Sequence, residues 1–256
     1  MRAFAAFFKK EVLESIRSGK FMILGILFLI FGIMNPAIAK LTPWMLEMLS
    51  DSLAESGMTV TEVTVDAVTS WTQFFKNIPM ALIAFVLLYS GIFTKEYESG
   101  TLVLVLTKGL ARYKTVIAKA LIMLTLWTLG YWFCFSVTYA YNAYFWDNSI
   151  AVGLMPATFN WWLFGIWVVC LTVLFSTVFK NYSGVLLGTL FCVAVAYLLS
   201  LFPDISDYMP TSLMNSAALL VGAEKVDVYI KSIAVTVITS VITLGLSIPI
   251  FNKKQI

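Results

Sequence analysis

Residues 21–39 read FMILGILFLIFGIMNPAIA, a run that contains no charged side chain. A helix needs about 20 consecutive, mostly apolar residues to cross the hydrocarbon core of a bilayer. The run therefore predicts a transmembrane helix. Residues 2–20, before it, carry several charges, and no small-residue cleavage site follows it, so we expect the segment to stay in the protein as its first span rather than to be removed as a signal peptide.

Five further apolar runs follow along the 256-residue chain, in which 60% of the residues are apolar and only 12% are charged. The chain thus has more apolar surface than a soluble domain of this length could bury. We therefore predict an all-α polytopic membrane protein, a single domain over residues 1–256 with six transmembrane helices. The predicted spans are Phe21 to Ala39, Ile78 to Phe93, Val116 to Tyr141, Trp161 to Phe179, Gly184 to Phe202, and Ile230 to Phe251.

The distribution of basic residues predicts the orientation, because Lys and Arg near span ends are retained on the cytoplasmic side. With the N-terminus inside, 13 of the 17 basic residues are cytoplasmic, whereas 10 of the 14 acidic residues are outside. We expect a multi-pass protein of the cell membrane with both termini cytoplasmic. The net charge of +3 is then a consequence of topology and does not indicate nucleic-acid binding.

Three segments between the spans have patterns of their own. Residues 2–18 place aromatic and aliphatic side chains at helical spacing and predict an amphipathic interfacial helix, with Glu11 inside its apolar arc. Thr42 followed by Pro43 predicts the start of a separate short helix that ends near Glu55 outside the membrane. Residues 203–227 predict a short helix or hairpin that dips toward the bilayer. We thus expect small extracytoplasmic helical loops.

Several classes of chemistry are missing from the sequence. The chain has no histidine, which excludes zinc-dependent and serine-histidine intramembrane proteases, and it has no G-x-x-x-x-G-K-[ST] pattern, so we expect no P-loop ATP site of its own. Its three cysteines lie in apolar spans and predict no disulfide framework. The spans carry charge only near their ends, at Lys119 and Lys231, so an ion-driven mechanism lacks an obvious relay. The energy for any transport should come from a partner.

Residues 95–112, between the second and third spans, read KEYESGTLVLVLTKGLAR. Ser99 or Thr101 can cap a helix, Gly100 permits a sharp turn, and the following apolar residues form the body of a short amphipathic helix. A solvated loop that only obeys the positive-inside rule would explain the Lys and Arg residues. It would not explain the Glu-x-Glu-Ser-Gly-Thr cluster.

This loop resembles that of the permease subunits of type-2 ATP-binding-cassette (ABC) exporters. Their pattern is an acidic residue, Gly-Thr, a hydrophobic stretch, a Thr/Ser-x-Pro-like turn, Ser-Arg, and a Lys at the next span. The matching residues are Glu98, Gly100, Thr101, Leu106, Thr107, Arg112 and Lys119. Gly109 and Ala111 depart from it, since proline and serine are common at those positions. The elbow helix at 2–18, the six spans and the structured last outside loop agree with the same family in outline.

The resemblance implies a non-catalytic permease whose loop 95–112 contains a coupling helix that docks on a separate ABC ATPase subunit, which binds ATP and Mg. It implies docking and orienting roles for Glu96, Glu98, Thr101 and Arg112, and makes Glu11 a candidate partner from the elbow helix. Gly100 and Thr107 belong to the same ATPase-coupling set. A second, smaller contact is expected at Lys180, Asn181 and Tyr182. The further expected partners are a second permease copy and membrane lipid.

The cargo of such an exporter should be amphipathic or hydrophobic, for example a membrane-active peptide, because the spans offer no charge to replace lost hydration. The sequence identifies no substrate-binding residue. Two alternatives remain open. One is a self-sufficient channel, scramblase or secondary carrier that does not use ATP, and the other is a membrane enzyme or scaffold, for which no catalytic constellation is present.

Overall fold

The apolar runs form long helices in the computed structural model, which describes residues 2–55, 65–107, 109–215 and 217–254. Helix is the favoured state of such runs because it satisfies every backbone polar group internally. The helices are α1 (Arg2–Arg17), α2 (Lys20–Glu55), α3 (Ala67–Tyr89), α4 (Gly91–Glu98), α5 (Thr101–Thr107), α6 (Arg112–Phe145), α7 (Leu154–Val178), α8 (Tyr182–Leu199), α9 (Pro203–Ser206), α10 (Ala217–Leu220) and α11 (Ile230–Lys253). Within the described ranges there is no strand.

Six of these segments are long and apolar enough to cross a membrane, which confirms the predicted fold class and number of spans. The spans are built from α2, from α3 together with α4, and from α6, α7, α8 and α11. Helix α7 is the most buried of them and packs against α6, α8 and α11, so it forms the centre of the bundle. Helix α8 is the least buried.

The predicted separate helix after Thr42 is wrong, because α2 continues without a break from Lys20 to Glu55 and contains both Pro36 and Pro43. Thr42 does not cap a helix start. Its hydroxyl donates to the carbonyl of Ile38, one turn earlier, at 2.8 Å. Proline is tolerated in such helices where hydroxyls and neighbouring helices satisfy the freed backbone groups.

The second span begins earlier than Ile78, the residue predicted from the apolar run. Asp66 caps α3 by accepting a hydrogen bond from the Thr69 amide at 2.8 Å. The first turns of α3 then bury Trp71 and Phe74 in an aromatic cluster with Tyr131 and Phe135 of α6. Most of the stretch between α2 and Asp66, residues 56–64, lies outside the described residues.

Two polar contacts and one close backbone approach fix the spans at the opposite end from the chain termini. The Asn77 amide on α3 donates to the buried Asn35 of α2 at 2.9 Å. The Trp161 indole on α7 donates to the carbonyl of Met214 at 3.1 Å. A side chain at Gly153 would place its Cβ 2.0 Å from the Leu219 carbonyl oxygen, so only glycine fits there. Residues 203–229 are thereby held against the bundle as short helices, and the described part contains no hairpin.

Candidate coupling site

The end of the bundle that carries α1, α4, α5 and the last turn of α11 is termed here the terminal face. Helix α1 presents Phe7 and Glu11, one turn apart, on the same buried side. Phe7 packs with Leu110, just before α6, and with Ala118, in the second turn of α6. The apolar side of α1 thus anchors the helix on α6 and brings the Glu11 carboxylate into the protein.

Lys119, on α6, meets Glu11 inside the bundle and is 1% exposed. Its ammonium group lies 2.8 Å from Glu11 Oε2 and 2.9 Å from Glu96 Oε2, on α4. It also donates to the carbonyl of Ile92 at 2.9 Å. An unpaired buried charge is strongly unfavourable, and here two carboxylates and a carbonyl surround the ammonium group, so its charge is paired inside the protein.

Lys10 closes this cluster on the solvent side. Its ammonium group lies 2.6 Å from Glu96 Oε1, 2.8 Å from Glu14 Oε2 and 2.9 Å from Glu11 Oε1. Burial alone would lower the pKa of Lys10, but its hydrogen bonds to Glu14, Glu96 and Glu11 outweigh that effect and raise the pKa above its ordinary value. Lys10 is therefore held in its charged form.

The ion cluster is defined as Lys10, Glu11, Glu14, Glu96 and Lys119. Its three carboxylates and two ammonium groups give a net charge of −1. Carboxylate oxygens of Glu11, Glu14 and Glu96 approach within 4.8 Å of one another, as in a metal site, but the Lys10 ammonium bridges all three. The arrangement is thus an ion-pair network that connects α1, α4 and α6.

The coupling-loop residues lie directly beyond Glu96. Helix α4 ends at Glu98, Gly100 adopts φ +66°, and α5 follows from Thr101. The buried side chain of Leu102 anchors α5 against the core, whereas Glu98, Gly100, Thr101 and Thr107 are exposed. The left-handed turn at Gly100 thus separates α4, which carries the buried Glu96, from α5, most of whose described side chains are exposed.

Arg112 and Lys180 occupy other parts of the terminal face. The Arg112 guanidinium donates to backbone carbonyls at the end of α11, including that of Lys254 at 2.6 Å. Lys180 is exposed in the turn between α7 and α8. The structure therefore brings the predicted residues Glu11 and Glu96 together, but it places Arg112 and Lys180 apart from them.

Sequence reasoning did not assign Lys10 and Lys119 to the site. A signal was present, because Glu11 lies in the apolar arc of a helix and Lys119 lies in an apolar span. Two buried groups of opposite charge each require a partner. That requirement could have predicted the pairing of Glu11 with Lys119, which are 108 residues apart in the sequence.

Six membrane-spanning helices with a charged helix assembly at one end define a multi-pass α-helical membrane protein. Comparison with known protein families is more specific: residues 5–256 match the family described as ABC-2 family transporter protein. The chain therefore belongs to the ABC-2 family and is a permease component of an ABC transporter, which confirms the family resemblance. Membership implies an ABC ATPase as its partner in general terms.

One relative is YxlG of Bacillus subtilis (strain 168), which is described as an uncharacterized transmembrane protein. It is 22% identical to this chain over 260 residues, and the match covers 100% of this chain and 99% of the relative. The two proteins are thus similar along their full lengths. No solved structure matches the chain significantly.

Proposed function

We propose that this chain is the permease subunit of an ATP-driven exporter in the cell membrane, with both termini in the cytoplasm. Two copies form the translocation path, and separate ATPase subunits, which carry ATP and Mg, bind at the terminal face. The chain itself performs no covalent chemistry.

The ion cluster is the observation that carries this proposal. It joins α1, the foot of the second span and the start of the third span through contacts of 2.6–2.9 Å. The exposed residues Glu98 and Thr101 follow Glu96 within five positions. A force applied to α5 by a partner would reach α4, and the cluster would pass it to α1 and α6 as one unit. Such a rigid connection is what a motor docked at this face requires.

An apolar cleft supports hydrophobic or amphipathic cargo, such as a membrane-active peptide. It has a volume of about 480 Å³ and lies between α3, α7 and α8, where Leu82, Phe164 and Leu190 contribute to its walls. Two of its hydroxyl groups, those of Thr189 and Thr211, already donate to backbone carbonyls. An ion in this cleft would lose its hydration without gaining a partner, whereas an apolar chain has no favourable hydration to lose.

A self-sufficient channel or secondary carrier is the alternative. It would move solute without nucleotide, and the ion cluster would then serve only to hold the fold together. Lys119 and Glu11 are paired with each other at the terminal face, and neither lines the apolar cleft. This placement favours a coupling role over a relay along the path.

Affinity purification of the chain from its own membrane tests the proposal. We expect an ABC ATPase to be recovered in stoichiometric amount. The change Glu98→Lys should reduce its recovery by roughly tenfold or more. In this proposal Glu98 docks against basic groups of the ATPase, and a lysine there would bring like charges together at the interface, which costs several kcal/mol. The matched control is Asp204→Lys, an exposed acidic residue near the opposite end of the bundle.

Vesicles that contain only this chain provide the complementary measurement. Release of an entrapped fluorescent amphipathic peptide should require both the ATPase and ATP. Full release without nucleotide, together with no ATPase recovered on purification, would contradict the exporter and establish the channel or carrier.

A further inference from the structure

Arg112 lies at the first position of α6 and reaches the C-terminal end of α11. Its guanidinium donates to the carbonyls of Phe251 at 3.4 Å, Asn252 at 3.1 Å and Lys254 at 2.6 Å. The last carbonyls of a helix have no partner within the helix. Arg112 therefore supplies a cap for α11 from the residue that ends the coupling loop.

Lys254, at the C-cap of α11, makes an equivalent contact with α7. Its ammonium group donates to the carbonyls of Thr177 at 2.8 Å and Phe179 at 2.9 Å, where α7 ends. The same group lies 4.2 Å from the ring centroid of Tyr97, on α4, within the range of a cation–π contact. Lys254 thus touches the end of one span and the foot of another.

Two aromatic contacts join the same elements. The Tyr97 hydroxyl donates to the carbonyl of Ser176 on α7 at 3.4 Å. Phe93 of α4 packs edge-on against Phe251 of α11, with ring centroids 5.7 Å apart. Both phenylalanines are fully buried. Helices α4, α6 and α7 therefore converge on the last turn of α11.

We propose that Arg112 and Lys254 form a terminal latch that transmits movement of the coupling loop to α7 and α11. This inference rests on the proposed function and adds a second route by which movement of the coupling loop reaches the spans. The ion cluster reaches α1, α4 and α6, whereas the latch reaches the central span and the last span. Arg112, assigned by family resemblance to the docking surface, acts in this proposal as a positioning residue.

Hydrogen–deuterium exchange on the purified complex of the chain with its ATPase tests the latch. Exchange is compared without nucleotide and after trapping with ADP and vanadate. In the unmodified complex we expect a change in deuterium uptake at residues 99–107, at residues 175–179 and at residues 249–254. In Lys254→Met the nucleotide-dependent change in uptake at residues 99–107 should persist. The changes at residues 175–179 and 249–254 should fall by roughly fivefold or more, the scale of an ordinary coupling factor.

The matched control is Lys253→Met, because Lys253 is exposed and its side chain makes no ion pair or hydrogen bond within the described residues. It should respond like the unmodified complex. A second variant, Lys254→Arg, keeps the charge and the donors and should restore the response at the ends of α7 and α11. A purely structural role would instead alter uptake equally with and without nucleotide.

Three results would overturn the latch. The first is a full response at residues 175–179 and 249–254 in Lys254→Met. The second is that Lys254→Met and Lys254→Arg both fail to assemble with the ATPase while Lys253→Met assembles, which would assign the residue to folding alone. The third is distinct: if nucleotide changes nothing at residues 99–107 in the unmodified complex, the proposed function fails, and the latch fails with it.

Discussion

Lys119 supplies the buried positive charge that pairs with the two buried carboxylates of the terminal face. Its ammonium group is almost completely buried and is neutralised by Glu11 and Glu96, while the rings of Phe7 and Phe93 lie within 5.8 Å and 5.4 Å of it. Removal of one member of a buried ion pair leaves the other charge unsolvated. The cluster should therefore respond far more strongly to the loss of one charge than to the loss of a matched pair.

We predict that Lys119→Met lowers the free energy of unfolding by about 3–5 kcal/mol, because Glu11 and Glu96 lose their shared buried cation. Denaturant titration in micelles measures this change. The control is Lys114→Met, on the same helix, for which no ion pair is present in the described part of the chain. Adding Glu11→Gln to Lys119→Met should recover part of the loss. A loss equal to that of Lys114→Met would contradict the assignment.

Lys254 gives the terminal face a dependence on pH. Burial, and next to it the charge of Lys180, lower the pKa of Lys254 to about 8 from the ordinary value of 10.5. Between these two values the unfolded chain binds a proton that the folded chain does not, so stability rises with pH across this window. The neutral amine retains two N–H groups, which suffice for the carbonyls of Thr177 and Phe179.

We therefore predict that the stability of the unmodified chain relative to Lys254→Met increases between about pH 8 and about pH 10.5. Unfolding in micelles at several pH values measures both proteins side by side. Lys253→Met, which removes a neighbouring exposed lysine, should keep a constant difference from the unmodified chain over the same range. A constant difference for Lys254→Met as well would show that its pKa is not lowered.

At the scale of the helices, apolarity and length predicted each span, because these two properties determine whether a helix can cross a bilayer. They could not predict that α2 continues through Pro43. A Thr-Pro pair can also start a new helix, and only tertiary contacts decide whether the helix continues or a new one begins. The partners of Glu11 and Arg112 also depend on packing between distant segments. Sequence marked these charges as unusual but did not give their contacts.

The turn between α4 and α5 depends on the backbone freedom of glycine. Gly100 adopts φ +66°, a region that costs other residues about 1–2 kcal/mol. We predict that Gly100→Ala lowers stability by about 1 kcal/mol and reorients α5, which reduces recovery of the ATPase. Thermal unfolding and affinity purification measure the two effects.

Gly245, inside α11, is the matched control for this change, because a Cβ built there meets no atom within 4 Å. Gly245→Ala should be neutral or stabilising by up to about 1 kcal/mol, as expected for alanine in a helix. Equal behaviour of the two variants would mean that the turn at Gly100 has no special backbone requirement.

At the scale of the whole molecule, the two ends of the bundle differ in charge and in construction. The terminal face holds the ion cluster, α1, α5 and the last turn of α11, whereas short helices between residues 203 and 229 lie at the opposite end. The positive-inside rule predicts that the terminal face lies in the cytoplasm, because 13 of 17 basic residues then lie inside. An ATPase could reach the coupling loop only in that orientation.

Cysteine labelling measures the orientation directly. In a background with Cys134, Cys170 and Cys192 replaced by alanine, Glu98→Cys and Asp204→Cys place single exposed thiols at opposite ends of the bundle. We predict that a membrane-impermeant maleimide labels Asp204→Cys in intact cells and labels Glu98→Cys only after permeabilisation. The reverse pattern would place the coupling loop outside the cell, where no ATP-driven subunit could act on it.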